Sequence, residues 1–154
     1  MDVLKVLNKL KELEINASEL YDWFTNMFES DPQAMALFEK LNKDEISHSE
    51  IIQFQIQLVS KNRKQFKDIF IDMGEIDLAI AKIQSAMKAE DPPSLQQAVE
   101  FSLELEADIA ETFYRTAILD SNFQVGKMIN AIVKSENDHV DRLRKFAKDR
   151  AFDK

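Results

Sequence analysis

The sequence predicts an all-α protein, a four-helix bundle of two antiparallel hairpins whose long crossover contains a short helix. Three observations carry that expectation. Apolar residues recur every three or four positions over long stretches, the spacing of one helix face. With 2 Gly and 3 Pro in 154 residues, few positions force a turn. The prolines stand where long helices would have to stop. At this length the chain fits one domain, residues 1–154, with a core that needs no outside staple.

The first helix is expected from Val3 to about Phe28, on Leu4, Leu7, Leu10, Ala17, Tyr21, Phe24 and Phe28. Ser30-Asp31-Pro32 then stops the chain, with Asp31 as N-cap and Pro32 as the first residue of the next helix. That second helix runs to about Lys61, with Leu37, Leu41, Ile52, Ile56 and Val59 as its stripe. Residues 62–94 form the crossover, with a shorter helix from about Ile76 to Ala89 after Gly74. Asp91-Pro92-Pro93-Ser94 opens the next long helix, which ends near Asp120. Asp120-Ser121-Asn122 reads as a tight turn into the last, whose stripe is Ile129, Ile132, Leu143 and Phe146.

Composition excludes several chemistries. Without Cys there are no disulfides, thiolate zinc sites, iron–sulfur clusters or cysteine nucleophiles. A formal charge of −8 argues against a nucleic-acid partner, whose phosphates need clustered cations. The densest basic stretch, Lys61-Asn62-Arg63-Lys64 with Lys67, is short and sits near a helix end, where cations oppose the dipole. No apolar run approaches the roughly 20 residues of a membrane span. Met1–Leu10 is amphipathic rather than a secretory signal, so a cytoplasmic location is expected.

The chain has 2 histidines, and each follows a glutamate by three residues: Glu45-Ile46-Ser47-His48 and Glu136-Asn137-Asp138-His139. On a helix such a pair projects from one face. Glu45 and His48 are in line with Leu41 and Ile52, and Glu136 and His139 with Ile132 and Leu143. A carboxylate on a core stripe is costly unless it is paired or holds a metal. Glu14 falls on the first stripe between Leu10 and Ala17, and Glu106 between Leu103 and Ala110. Glu19 lies about 140° round the helix from Glu14. Glu104 belongs to an acidic row with Glu100, Asp108 and Glu111, so both read as solvated.

Level agrees with face. In an antiparallel hairpin, facing residues are equidistant from the turn. Midway between Glu14 and Glu45 lies the Ser30-Asp31-Pro32 break, and midway between Glu106 and Glu136 lies Ser121. Four carboxylates and two imidazoles at one level suit two adjacent metal ions. Glu45 and Glu136 can bridge, Glu14 and Glu106 can cap either side, and His48 and His139 can complete one ion each. Hard oxygen and imidazole donors favour iron or manganese, and zinc would bind too.

At these residues the chain resembles the ferritin-like superfamily of di-iron carboxylate proteins, especially its rubrerythrin and bacterioferritin branches. The similarity covers nearly the whole chain: Glu14, Glu45-x-x-His48, a crossover, Glu106, then Glu136-x-x-His139. It implies a ferritin-like fold and two iron ions. By itself Tyr21 reads as a core aromatic; the resemblance adds a role in hydrogen bonding or radical quenching beside the metals, with Phe113 in the equivalent place after Glu106. Two departures stand out. Rubrerythrins carry a further glutamate where this chain has Ile109, and usually a cysteine-ligated rubredoxin domain, for which this chain has no Cys. The ligand set is similar to that of bacterioferritins, yet no short fifth helix is expected after Lys148, which suggests a homodimer rather than a hollow shell.

The leading expectation for function is a redox enzyme that uses an external electron donor to reduce a small oxidant, hydrogen peroxide or dioxygen, as in the response to oxidative stress. The alternatives are a ferroxidase or iron-handling protein, and a helical interaction module with a structural metal site.

Overall fold

The computed structural model of the chain describes residues 2–62, 64, 66, 73–119 and 123–152, with residues 115–119 and 123 described by backbone alone. Among the described residues five helices form: α1 (Val3–Met27), α2 (Pro32–Lys61), α3 (Met73–Lys88), α4 (Leu95–Leu119) and α5 (Phe123–Asp149). Among the described residues there is no strand, and no helix is long and apolar enough to cross a membrane. The four long helices and the shorter crossover helix stand close to where the periodicity put them. The expected turn at Asp120-Ser121-Asn122 lies outside the described residues, as do Arg63 and Lys67 of the basic stretch.

The caps explain the boundaries. Asp2 accepts a hydrogen bond from the Leu4 N–H at 2.8 Å and starts α1. Asp31 does the same for Ala34 at 3.1 Å, with Pro32 as the first residue of α2. Ser94 and Gln97 form a reciprocal cap at the start of α4. The Ser94 hydroxyl accepts from the Gln97 N–H at 3.1 Å, and the Gln97 side chain accepts from the Ser94 N–H at 2.9 Å. At the end of α5 the chain turns at Ala151, whose φ of 57° is left-handed, and the Phe152 N–H returns to the Ala147 carbonyl at 2.8 Å. α3 starts earlier than expected, with Gly74 inside its first turn; Ile76, Ile80 and Ile83 are its buried row.

α1 packs along α2 and α4 along α5; α2 touches α5, while α3 lies against α1 and α4. α1 is therefore covered from two sides. Its buried stripe is wider than the sequence suggested, adding Val6, Leu13 and Leu20, while Leu4 and Phe28 are only partly buried. On α2 the buried aromatic is Phe38, with Leu37 only partly buried. Phe38 sits between Tyr21 and Phe24 of α1 and Phe28 at its C-cap, with ring centroids 6.3, 5.1 and 5.9 Å away. The start of α2 and the end of α5 meet where Arg150 grips the Asp31 carboxylate with two nitrogens, at 2.7 and 2.8 Å. The Arg150 guanidinium also rests 4.7 Å above the Phe146 ring.

Candidate metal centre

Four helices each bring polar side chains to one buried level: Glu14 from α1, Glu45 and His48 from α2, Glu106 from α4, and Glu136 and His139 from α5. Glu14, Glu45, Glu106, Glu136 and His139 are fully buried, and His48 is 5% exposed. The six fall into two overlapping groups. One is Glu14, Glu45, His48 and Glu136; the other is Glu45, Glu106, Glu136 and His139. Within each group one donor atom per residue lies within 4.8 Å of all the others, a spacing that could hold a metal ion. Glu45 and Glu136 belong to both groups. Glu19 and Glu104 are exposed, as their place on the helices suggested.

Both imidazoles turn Nδ1 inward, each closest to the glutamate of the other helix. His48 Nδ1 is 2.9 Å from Glu136 Oε1, and His139 Nδ1 is 3.1 Å from Glu45 Oε1. Glu14 approaches His48 Nδ1 at 3.5 Å, and Glu106 approaches His139 Nδ1 at 3.4 Å. These are close approaches without hydrogen-bond direction. Both Nδ1 atoms lack a hydrogen-bond partner, as do both oxygens of Glu14, Glu45 and Glu136 and Oε2 of Glu106. Buried polar atoms are nearly always paired, and a buried carboxylate left alone costs several kcal/mol. So dense a set of orphaned oxygen and imidazole donors, all facing one space, fits cations. Nothing in the donor set selects one metal.

The electrostatics of the metal-free cluster agree. Burial and the charges of Glu136, Glu14 and Glu106 push the Glu45 carboxyl well above its usual range. Burial and the Glu136 charge push Glu106 up to about 8. Burial alone would lower both histidines. Glu136 and Glu14 outweigh it for His48, which rises to about 10; Glu106 and Glu136 do so for His139, which rises to about 11. Burial and Glu14 press upward on Glu136 too, but Glu106 and the two histidines hold it below its usual value. Without metal, Glu45, Glu106 and the two histidines keep protons, which reduces repulsion within the cluster.

Two residues reach the cluster from outside the six. Tyr21, buried and seven residues after Glu14, donates its hydroxyl proton to Glu106 Oε1 at 2.6 Å. Burial, then the Glu106 and Glu45 charges, raise its pKa well above the usual value, so it keeps that proton. The other is Asp44, which the sequence reading did not single out. Its Oδ2 lies 2.9 Å from His139 Nε2, while Lys40 Nζ reaches its Oδ1 at 2.9 Å. Burial presses upward on the Asp44 carboxyl, but Lys40 and His139 prevail and hold it below its usual value. It is therefore an acceptor, and His139 Nε2 carries the proton. The one hint in the sequence was adjacency: Asp44 precedes Glu45, where Ser135 precedes Glu136.

No protein-family model, no curated protein and no solved structure matches the chain.

Proposed function

We propose that the chain is a non-haem di-iron redox protein of ferritin-like architecture that reduces hydrogen peroxide or dioxygen. The observation that supports it is the convergence of four glutamates and two histidines, buried and unpaired, from four helices. One glutamate from each of two helices plus Glu-x-x-His from each of the other two is the donor layout of di-metal centres in such bundles.

In this reading Glu45 and Glu136 would serve both ions, Glu14 and Glu106 would each hold one, and His48 and His139 would add one nitrogen apiece. The four carboxylates balance the charge of two divalent ions. Ile109, buried one turn beyond Glu106, offers no donor, so the set stays at six. When bound, two ferrous ions supply two electrons together, which with two protons is what converts one hydrogen peroxide into two waters. Tyr21 holds Glu106 by its proton, and Asp44 holds the His139 ring, which keeps the donors in place while the charge of the centre changes. Ile52, Phe113 and Ile132, all buried, together with the nearly buried Ala110, restrict the site to small oxidants and exclude bulk water.

Stopped-flow absorbance of the diferrous protein tests this. Oxidation by one equivalent of peroxide, faster than by the same concentration of dioxygen, is expected. Rapid reaction with dioxygen and sluggish reaction with peroxide would favour a ferroxidase. No reaction with either oxidant would leave a helical module with a structural metal. Light scattering should report a homodimer, and a particle of hundreds of kilodaltons would favour iron storage.

A further inference from the structure

The six donors are arranged symmetrically; their supports are not. Each half has two donors of its own beside the shared Glu45 and Glu136. In the His139 half both are held from behind, Glu106 by the Tyr21 hydroxyl at 2.6 Å and His139 by Asp44 at 2.9 Å. In the His48 half neither is. Both oxygens of Glu14 lack a partner, and among the described residues nothing pairs with His48 Nε2. Ser135, which stands before Glu136 as Asp44 stands before Glu45, is half-buried and makes no hydrogen bond to His48. His48 also keeps 5% of its surface exposed, whereas His139 has none.

We infer that the two metal positions are inequivalent, with a tightly held ion at His139 and an exchangeable one at His48, and that Asp44 is the positioning residue that makes the difference. The inference rests on the two-metal reading above. Asp44 accepts a hydrogen bond from the Nε2–H of His139, which leaves Nδ1 as the nitrogen directed at the cluster and stops the ring from turning away. Partners of this kind change metal affinity by about 10–100-fold. Tyr21 has two opposing effects: it orients Glu106 but draws charge from Oε1. Because Oε2 remains free to bind, orientation prevails. The His48 ring has no such anchor and must be ordered by the ion itself. Its exposed edge also makes this half the side through which an ion can leave or be replaced.

Titrating metal-free full-length protein with cobalt(II), followed by its visible absorbance and by native mass spectrometry, tests this. Two binding steps alone would also arise from repulsion between ions at identical positions, so single-position variants carry the test. His48→Ala keeps the His139 position and should bind one cobalt about 10–100-fold more tightly than His139→Ala, which keeps the other. Asp44→Ala should weaken the tight step by the same factor and leave the weak step unchanged. Asp44→Asn should recover part of the loss, since its amide oxygen can still accept a hydrogen bond from Nε2–H; a purely structural role would not separate these two variants. Should Asp44→Ala lose helix content by circular dichroism, Asp44→Asn and the two histidine variants decide alone. Equal affinities in His48→Ala and His139→Ala, or Asp44 variants that weaken both steps alike, would overturn the inference and leave the two-metal reading intact. A wild-type protein that binds no cobalt, iron or zinc would overturn both.

Discussion

The His48 half and the His139 half of the centre have the same donors and different surroundings. Each takes one glutamate from a neighbouring helix and a Glu-x-x-His pair from its own, and both share Glu45 and Glu136. The neighbours then break the symmetry. Asp44 and Tyr21 serve only the His139 half, while Ser135 stands where a second aspartate would serve the other. A repeat in the sequence can therefore place two equivalent ligand sets without making two equivalent sites. Donor identity follows the helix face; donor rigidity follows whatever packs behind it.

The largest expected effect would break the comparison altogether. Glu45→Ala or Glu136→Ala should lose both metals, because each residue serves both halves. Glu19→Ala and Glu104→Ala should leave metal content unchanged. Elemental analysis of protein purified without oxygen reads both. A full pair of ions in the Glu45 or Glu136 variant would show that the halves do not share a ligand.

Protons come next. At neutral pH, His48 and His139, raised to about 10 and 11, and Glu106, raised to about 8, hold protons that incoming ions must displace. Apparent affinity should therefore rise with pH, roughly tenfold per unit for each proton displaced. Calorimetry in buffers of different ionisation enthalpy would count them, and a count of zero would contradict the protonated cluster. In the metal-free protein the two imidazoliums stabilise the fold fully below 6.5, the value of an unperturbed ring. That contribution is lost as pH rises through about 10 and 11.

A smaller effect sharpens the asymmetry. Glu14→Leu should stabilise the metal-free protein by about 1–3 kcal/mol, since it replaces a buried carboxylate that lacks a hydrogen-bond partner with apolar volume. Glu106→Leu should gain less, because it strands the Tyr21 hydroxyl. Urea unfolding in the presence of chelator measures both, and equal gains would show that Tyr21 contributes nothing to its half.

The smallest effect is a control outside the centre. Asp31→Ala removes the α2 cap and the Arg150 pair and should cost about 1–2 kcal/mol while leaving both metal steps unchanged. Hydrogen bonds from Arg150 and from the Ala34 N–H hold Asp31 down to about 2, so its contribution is present above 3.8 and lost as pH falls through about 2. Thermal unfolding checks the cost, and a shift in metal affinity would mean that the helix level depends on this tie.

Much of this was legible in the sequence, and the misses have a common cause. Adjacent residues on a helix are about 100° apart, so periodicity locates a face but not its width. Leu37 and Phe38 compete for one position on α2, and the aromatic rings of α1 decide for Phe38. α1 buries Val6, Leu13 and Leu20 because a crossover helix covers a side that the stripe alone left open. Asp44 lies off the core stripe, and its partner is 95 positions away. No local pattern could have joined them.

The sequence by itself determined an all-helical chain, the cap at Asp31, and the presence of Glu14, Glu45, His48, Glu106, Glu136 and His139 on apolar faces at matching levels. These follow from spacing and from the cost of burying an unpaired carboxylate, both local to a helix. Only the tertiary structure decided which glutamates are common to both groups, that Tyr21 gives its proton to Glu106, and that Asp44 holds one histidine while the other is left without a hold. Those outcomes depend on the rotation of each helix against its neighbours, which is set by how side chains interlock between helices and which no single stretch of sequence encodes.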